Sequence, residues 1–225
     1  MTAAGRTTGR TRARKQPAEV RRETVLDAAM TVFARQPYRA AGTAEIAREA
    51  GIAEPTIYRH FSSKRELYLA AVQRTCEMVE EAWRAQIADS ADAEEALSRI
   101  GAWYERSVQA NNVPVRLRMR AIAEADAEDV STILRQGYKT LHALVREQIE
   151  RGQREGLADP AVDAGDAAWV YIGIGKILDL ASIDSLPADA FHKCARGMAS
   201  FFARGLGAPP ETLARVEGRA AQAEE

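Results

Sequence analysis

Apolar residues recur at helical spacing through this 225-residue chain, and this period restricts the fold more than any other feature. Val25, Ala28, Ala29, Val32 and Phe33 follow the i, i+3, i+4, i+7, i+8 pattern of a single helix face. Comparable patterns cover most of the chain, and no segment alternates apolar and polar residues as a half-buried strand does. We therefore predict an all-α protein with three short helices in front of a larger helical body.

Proline, glycine and polar residues divide the pattern into segments. Gln36-Pro37 ends a first helix that begins at Ala18, because proline disfavours helical geometry in the residue before it. Thr43 is the predicted N-cap of a second short helix, Gly51 supplies the next turn, and Pro55 opens a third short helix. Ser62 is the predicted cap of the helix that follows. The later helices are predicted over residues 62–87, 92–111, 114–125, 128–155, 162–183 and 187–206.

Charge is unevenly distributed along the chain. Residues 1–75 contain 14 basic and 7 acidic side chains, so the overall net charge of −1 conceals a head of +7 and a body of −8. A basic head is typical of a module that binds polyanions, and a solvated basic tail is the alternative. We predict a disordered basic arm over 1–17, a head over 18–75, a helical body over 76–206 and a flexible tail over 207–225.

Several classes of protein are excluded by composition. No apolar run approaches the roughly 20 residues of a membrane span, and the basic N-terminus lacks the apolar stretch of a secretory signal. Cys76 and Cys194 are too few for a disulfide framework, which favours a reducing cytoplasm. Three histidines and two cysteines offer little material for catalysis or metal binding. We therefore expect no enzyme activity, no metal site, no cofactor and no membrane partner.

The three short helices have the layout of a helix-turn-helix unit. In such a unit the helix after the turn, which is here the third short helix, lies in the major groove of DNA. Ile57 and Phe61 are four residues apart and can pack inward, with Ile46, Ala47 and Ile52 as their apolar partners. The remaining polar side chains face outward, where they can bond to bases and phosphates. These outward residues are Glu54, Thr56, Arg59 and His60.

The same segment resembles the DNA-binding domain of the TetR family of repressors, from about Arg21 to Val72. Three motifs carry the resemblance: the I-A-x-x-A-G-[VI] turn at 46–52, the T-[LVI]-Y-x-H-F helix at 56–61 and the S-K-x-x-L segment at 63–67. Three positions depart from the family pattern. Pro37 stands where the family usually has glycine, Gly42 where it often has a capping Thr or Ser, and Ala53 where it usually has Ser.

The resemblance implies DNA-binding roles for particular residues. Thr43 would contact a phosphate, since the start of a helix favours an anion, and Lys64 would be a second phosphate contact. Glu54, Pro55 and Arg59 occupy the variable positions that select bases. Thr56, Tyr58 and His60 match positions at which family members contact the DNA backbone and bases.

The basic arm has two interpretations. It enters the minor groove beside the head or adds phosphate contacts, or it is a disordered solubility tail. Its basic residues are Arg6, Arg10, Arg12, Arg14 and Lys15.

By the same resemblance, the body is a helical bundle that dimerises and encloses a ligand pocket. The segments 162–183 and 187–206 are the predicted interface. A phosphate loop over 173–176 is disfavoured, because neither a preceding strand nor the Walker spacing is present. Aromatic and amphipathic residues of the middle helices are the candidates for the pocket, and ordinary core packing is the alternative. They are Trp83, Trp103, Tyr104, Met119, Tyr138, His142 and Trp169.

The expected function is that of a cytoplasmic, homodimeric transcriptional regulator. It would be a repressor that a small hydrophobic or aromatic effector releases from a palindromic operator in double-stranded DNA. The helix after the head would couple the two sites. A nonspecific DNA-coating protein and a helical ligand-binding or enzymatic protein with a vestigial head are the alternatives.

Overall fold

The computed structural model describes residues 18–124, 127–183 and 187–222, and every regular element in these ranges is a helix. The all-α prediction is confirmed. No helix in these ranges is long and apolar enough to cross a bilayer. The basic arm, the predicted helix end at Ala125, the break at Ser185-Leu186 and the last three residues of the tail lie outside the described residues. The elements are α1 (Ala18–Arg35), α2 (Thr43–Glu49), a 3-10 helix (Glu54–Arg59), α3 (Lys64–Ala88), α4 (Ala93–Gln109), α5 (Val113–Ile122), α6 (Glu128–Arg154), α7 (Ala164–Ile183), α8 (Ala188–Gly205) and α9 (Pro210–Gln222).

Helix caps differ from the sequence prediction at two places. The N-cap of α3 is Ser63, whose hydroxyl accepts from the Glu66 backbone N–H at 3.1 Å. The Glu66 carboxylate in turn accepts from the Ser62 backbone N–H at 2.6 Å, so Ser62 lies one residue before the cap and is held by the first turn of α3. In α2 the N-cap is Gly42, without a side-chain hydrogen bond. Thr43 is therefore the first helical residue rather than the cap.

The head and the body share one hydrophobic core. Phe33, Ile46 and Ile57 of the head belong to the same buried cluster as Leu117 of α5 and Val130 of α6. Helix α3 passes from this cluster into the body without a break, so the predicted boundary at residue 75 falls inside a continuous helix. The position of the head is consequently tied to that of the body.

Helix α5 holds the end of α1. Arg120 donates from Nε to the Ala34 carbonyl at 2.8 Å and from Nη2 to the Arg35 carbonyl at 3.0 Å. These carbonyls belong to the last turn of α1, where no intrahelical donor is available. Glu124, just after α5, accepts from the Tyr38 backbone N–H at 2.9 Å. A displacement of α5 would therefore move α1 and the loop that follows it.

Helix α9 corrects the prediction of a flexible C-terminal tail. It packs against α8 and α4 and buries Val216. Arg215 pairs with Asp92 at 2.6 Å, and Arg219 pairs with Glu94 at 3.2 Å. The tail's composition concealed this helix because its partners lie far away in sequence, 123 positions in the case of the Arg215–Asp92 hydrogen bond.

Asp92 offers a test of how firmly α9 is held. Its carboxylate caps α4 by accepting from the Glu95 backbone N–H at 2.8 Å, and it also pairs with Arg215. Partial burial opposes ionisation, but the Glu95 hydrogen bond and the Arg215 pair together lower the pKa of Asp92 below its usual range. A carboxyl whose pKa is lowered by folding stabilises the protein above its unfolded pKa of about 4 and loses this contribution as the pH falls through the folded pKa.

We expect Asp92→Asn to lower Tm by about 1–3 °C at pH 7, because asparagine keeps the cap and removes the ion pair. At pH 3, where the unfolded carboxyl is largely protonated, the Tm difference should be smaller than at pH 7. Thermal denaturation followed by circular dichroism at both pH values measures this. Asp89→Asn, which removes a more exposed ion pair with Arg99, is the control. An equal Tm difference at both pH values would contradict the assigned role of the charge.

Candidate DNA-binding interface and effector cavity

A tight turn joins α2 to the 3-10 helix. Gly51 has φ +65°, in the left-handed region that other residues rarely adopt. The Ile52 backbone N–H donates to the Ala47 carbonyl at 2.9 Å, and the Gly51 N–H donates to the Arg48 carbonyl at 3.2 Å. These two bonds form a Schellman ending, which stops α2 and brings the 3-10 helix back against it. The result is the helix-turn-helix geometry that the glycine position predicts.

The 3-10 helix buries one side chain and exposes its other face. Ile57 is 0% exposed and packs with Phe61 in the head core. Pro55 lies in the first turn, where its missing N–H costs no intrahelical bond. The N-cap Ala53 makes no side-chain hydrogen bond, so burial of Ile57 is the main anchor of this short element. The exposed or half-exposed residues are Glu54, Pro55, Thr56, Tyr58, Arg59 and His60.

Hydrogen bonds join three of the predicted DNA-binding residues. The Thr43 hydroxyl donates to the Glu54 carboxylate at 2.5 Å and lies 3.2 Å from the Tyr58 hydroxyl. Because a hydroxyl has a single proton, Tyr58 is the donor to Thr43. This chain of bonds fixes the start of α2 against the 3-10 helix. The Tyr58 side chain remains 49% exposed beside it.

Lys64 and Arg65, adjacent at the start of α3, both lie near the Tyr38 ring but differ in their ion pairing. The Lys64 ammonium lies 4.5 Å from the centroid of the Tyr38 ring, a cation–π contact that restrains it. Tyr38 was not predicted to take part, because its only sequence signal was an aromatic residue after a proline. Arg65 instead donates from Nε to Asp129 of α6 at 3.0 Å, and this hydrogen bond raises the pKa of Arg65 and lowers that of Asp129. Lys64 has no carboxylate partner among the described residues.

The body encloses a cavity of about 230 Å³. It lies between α4, α6, α7 and α8, with Trp83 of α3 and Arg118 of α5 contributing to the wall. Thr212, Val216 and Arg219 place α9 over one end. The walls are mainly apolar with a few polar groups, which is typical of a small-molecule site.

The predicted ligand-binding residues only partly reach this cavity. Tyr104 and Trp83 line it. Side-chain type alone suggested these residues, whereas the rotation of each helix decides which positions face inward. Arg118 and Gln148 also line the cavity but were not predicted, because polar side chains gave no signal. Five predicted residues lie outside the wall: Trp103, Met119, Tyr138, His142 and Trp169.

Helices α7 and α8 expose a face of large apolar side chains. Contiguous exposed apolar residues are typical of contact surfaces between proteins. Ile172 and Phe202, which were predicted for the interface between copies, are instead buried in the core of the body. Phe201 is 74% exposed. Among the described side chains of α7 and α8, the large apolar ones that are exposed are Trp169, Val170, Ile177 and Phe201.

Fold and site together define a class of protein: a helix-turn-helix DNA-binding domain joined through a shared core to an α-helical body with a ligand-sized cavity. Residues 25–71 match the family described as bacterial regulatory proteins, tetR family. The transcriptional activator FasR of Mycolicibacterium smegmatis is 50% identical over 66 residues, which are 29% of this chain and 30% of FasR. The aligned part is thus less than a third of that relative. Residues 25–71 thus match the DNA-binding domain of the TetR family of transcriptional regulators.

Two solved structures share the fold through the body as well as the head. A transcriptional regulator from Saccharomonospora viridis, in complex with choline, superposes with a TM-score of 0.73 at 20% identity, covering 81% of this chain and 95% of that one. FadR from Bacillus subtilis, in complex with stearoyl-CoA, superposes with a TM-score of 0.66 at 18% identity, covering 81% and 98%. The likeness establishes a common fold.

Proposed function

We propose that this protein is a homodimeric transcriptional repressor that binds a palindromic operator in double-stranded DNA and leaves it when a small-molecule effector binds. One observation carries the proposal: α3 begins at the head with Lys64 and reaches the cavity wall with Trp83. Its 25 residues span about 37 Å at 1.5 Å per residue. A single helix therefore meets both sites.

DNA recognition is assigned to the exposed face of the 3-10 helix. Thr56 and Arg59 bond to base edges or phosphates there, and Arg59 has the geometry to donate to guanine. Glu54 keeps one carboxylate oxygen for a cytosine amino group beside its bond to Thr43. Thr43 and Lys64 contact the flanking phosphates. The basic head is attracted to DNA and the acidic body is repelled, which orients the approach.

Pairing of two copies is assigned to the apolar face of α7 and α8. One head offers few base contacts, whereas two heads spaced by about 34–36 Å contact two half-sites one helical turn apart. A two-fold symmetric dimer contacts a site with the same symmetry, which is a palindrome. Burial of Phe201 and its exposed neighbours supports this arrangement, because so large an apolar side chain is otherwise left in water.

Effector control follows from linkage between the two sites. An effector that binds better when the heads are mis-spaced weakens DNA binding, and DNA weakens effector binding by the same factor. Helix α5 supports this coupling, because Arg118 lines the cavity while Arg120 holds the end of α1. Since the DNA of bacteria lies in the cytoplasm, we place the protein there.

The effector is assigned to the cavity as a small, largely hydrophobic molecule with some polar groups. Buried polar atoms of the wall that have no hydrogen-bond partner among the described residues include Trp83 Nε1, Gln148 Oε1 and Thr212 Oγ1. Buried polar atoms are normally bonded, so their position favours a ligand that supplies partners. The two similar structures hold choline, a cation, and stearoyl-CoA, an anion. The charge of this protein's own effector must therefore be inferred from its own cavity.

Selection of bound DNA from a random library tests the function. We expect a palindrome with half-sites about one helical turn apart. Recovery of no preferred sequence, together with a steep salt dependence, would favour a nonspecific DNA-coating protein instead. Absence of measurable DNA binding would favour a ligand-binding or enzymatic protein with a vestigial head.

The role of the basic arm is tested by deleting residues 1–17. If the arm contacts phosphates, the deletion lowers operator affinity and flattens its dependence on salt, since each phosphate contact contributes about 0.9 to the slope. Fluorescence anisotropy with the selected operator between low and high salt measures both effects. Identical titrations of the full chain and the deletion variant would remove the arm from the mechanism.

A further inference from the structure

Arg118, a cationic side chain of the cavity wall, has no counter-ion among the residues that the structure describes. Arg118 of α5 lines the cavity and is only 4% exposed. Among the described residues, no carboxylate lies within 4.0 Å of its guanidinium, and the side chain donates no hydrogen bond. Its Cζ lies 4.9 Å from the centroid of the Tyr138 ring, a cation–π contact that provides no hydrogen-bond acceptor for the five N–H groups.

A buried arginine in this condition is unusual. Removing a charge from water is unfavourable unless an opposite charge and hydrogen bonds replace the water. The ring of Tyr138 supplies part of this compensation but no acceptor for the N–H groups. The cavity beside Arg118 is therefore suited to a negatively charged group that accepts hydrogen bonds from the guanidinium.

The carboxylates of the cavity wall already have partners. Glu94 accepts from the Ser98 hydroxyl at 2.8 Å and pairs with Arg219 at 3.2 Å. Glu105 contacts Nδ1 of His192 at 2.5 Å. The uncompensated charge of the wall is consequently positive and belongs to Arg118.

A second cation lies close to the same tyrosine. Lys176 of α7 is 5.6 Å from the centroid of the Tyr138 ring, and its ammonium donates to the Tyr104 hydroxyl at 3.4 Å. From this end the cavity follows α4 over residues 94–105, about 17 Å at 1.5 Å per residue. The intervening wall is apolar. It includes Leu97, Ile100, Ile172, Met198 and Phe202.

We infer that Arg118 is the anchor for an anionic head group, and that the effector is an amphipathic anion, a carboxylate or a phosphate on a slim apolar tail. The inference rests on the proposed effector role of the cavity and deepens it. A guanidinium binds either anion through two parallel N–H bonds, and the tail lies along α4. Because Arg118 and Arg120 share α5, an anion held by Arg118 acts on the helix that holds the end of α1.

Three probes with the same twelve-carbon tail test the anchor: tridecanoate, dodecyl phosphate and dodecan-1-ol, titrated calorimetrically into the full-length protein at concentrations below those at which they aggregate. We expect one of the two anions to bind at least about ten-fold more tightly than the alcohol, the gain of one charge-assisted contact. The tighter of the two identifies the head group. Arg118→Gln should lose this preference and bind the alcohol as the wild type does, whereas Arg118→Lys should keep part of it. Arg116→Gln, on the same helix but outside the cavity, is the matched control.

Equal affinity of the wild type for all three probes would overturn the anchor and leave the cavity as a neutral effector site. A preference that survives Arg118→Gln would overturn it as well, and so would the absence of binding by any probe. Operator binding of the same samples is measured separately, so failure of the anchor is distinguished from failure of the DNA-binding function. Without ligand, Arg118→Gln should melt no lower than the wild type, because it removes an uncompensated buried charge. A marked fall in Tm would assign Arg118 a structural role and contradict the inference.

Discussion

Replacing Tyr58 and His60 together by alanine abolishes specific operator binding and leaves the fold and the dimer intact. Both side chains lie on the exposed face of the 3-10 helix, and Tyr58 also bonds to Thr43 at the start of α2. Each lost contact to DNA costs about 1–3 kcal/mol, so a combined loss of about 4 kcal/mol lowers affinity about 1000-fold. Fluorescence anisotropy with the selected operator and a scrambled duplex measures the change.

The control for this variant is Glu80→Ala combined with Arg84→Ala. These residues form an exposed ion pair on α3, beyond the head, so their loss changes neither the core nor the recognition face. Circular dichroism and light scattering verify fold and dimer for both variants. Tyr58→Phe separates the hydroxyl from the ring, because it removes only the bond to Thr43. Full specific binding by the Tyr58/His60 variant would refute the assignment of the recognition face.

Phe201→Glu converts the dimer into a folded monomer and weakens operator binding as strongly as loss of a whole half-site. The side chain of Phe201 is 74% exposed on α8, so the substitution leaves the core of the body untouched. In the dimer, however, it would place a carboxylate in an apolar interface, at a cost of several kcal/mol. A monomer binds one half-site and loses the second set of contacts. Analytical ultracentrifugation and operator titration measure the two effects.

Ile122→Glu is the matched control for Phe201→Glu. It introduces the same charge at an exposed apolar position, 40% exposed, on α5 rather than on α7 or α8. We expect this variant to remain dimeric. A dimer that persists in Phe201→Glu, with dissociation no greater than in the control, would place the interface elsewhere on the molecule.

The head could be predicted closely because its signals are local. Gly51 adopts the left-handed conformation that its place after α2 requires, and Ile57 packs inward because its neighbours in the 3-10 helix are polar or follow proline. The caps were less predictable. Ser62 and Ser63 are adjacent and chemically alike, and only the return contact of Glu66 distinguishes them.

The body was harder to predict, because its features depend on contacts between distant segments. Arg118 looks like an ordinary surface residue of an amphipathic helix, yet packing of α5 against α1 and α3 turns it into the cavity. Trp169 looks like a pocket residue, yet the rotation of α7 leaves half of it in water. Residue type indicates which contacts a side chain can make, but the orientation of its helix decides whether it faces the cavity or solvent.

Patterns along the chain were thus sufficient for the all-α class and the helix-turn-helix head, because caps, turns and the 3.6-residue period act within a few positions. The eight residues proposed to meet DNA stay a prediction, which rests partly on the resemblance to the TetR family. The walls of the cavity, the ordering of α9 and the unpaired charge of Arg118 depend on packing between helices far apart in sequence. These features exist only once the helices have taken their final rotations. Burial of apolar faces sets those rotations over the whole molecule at once, which no local pattern encodes.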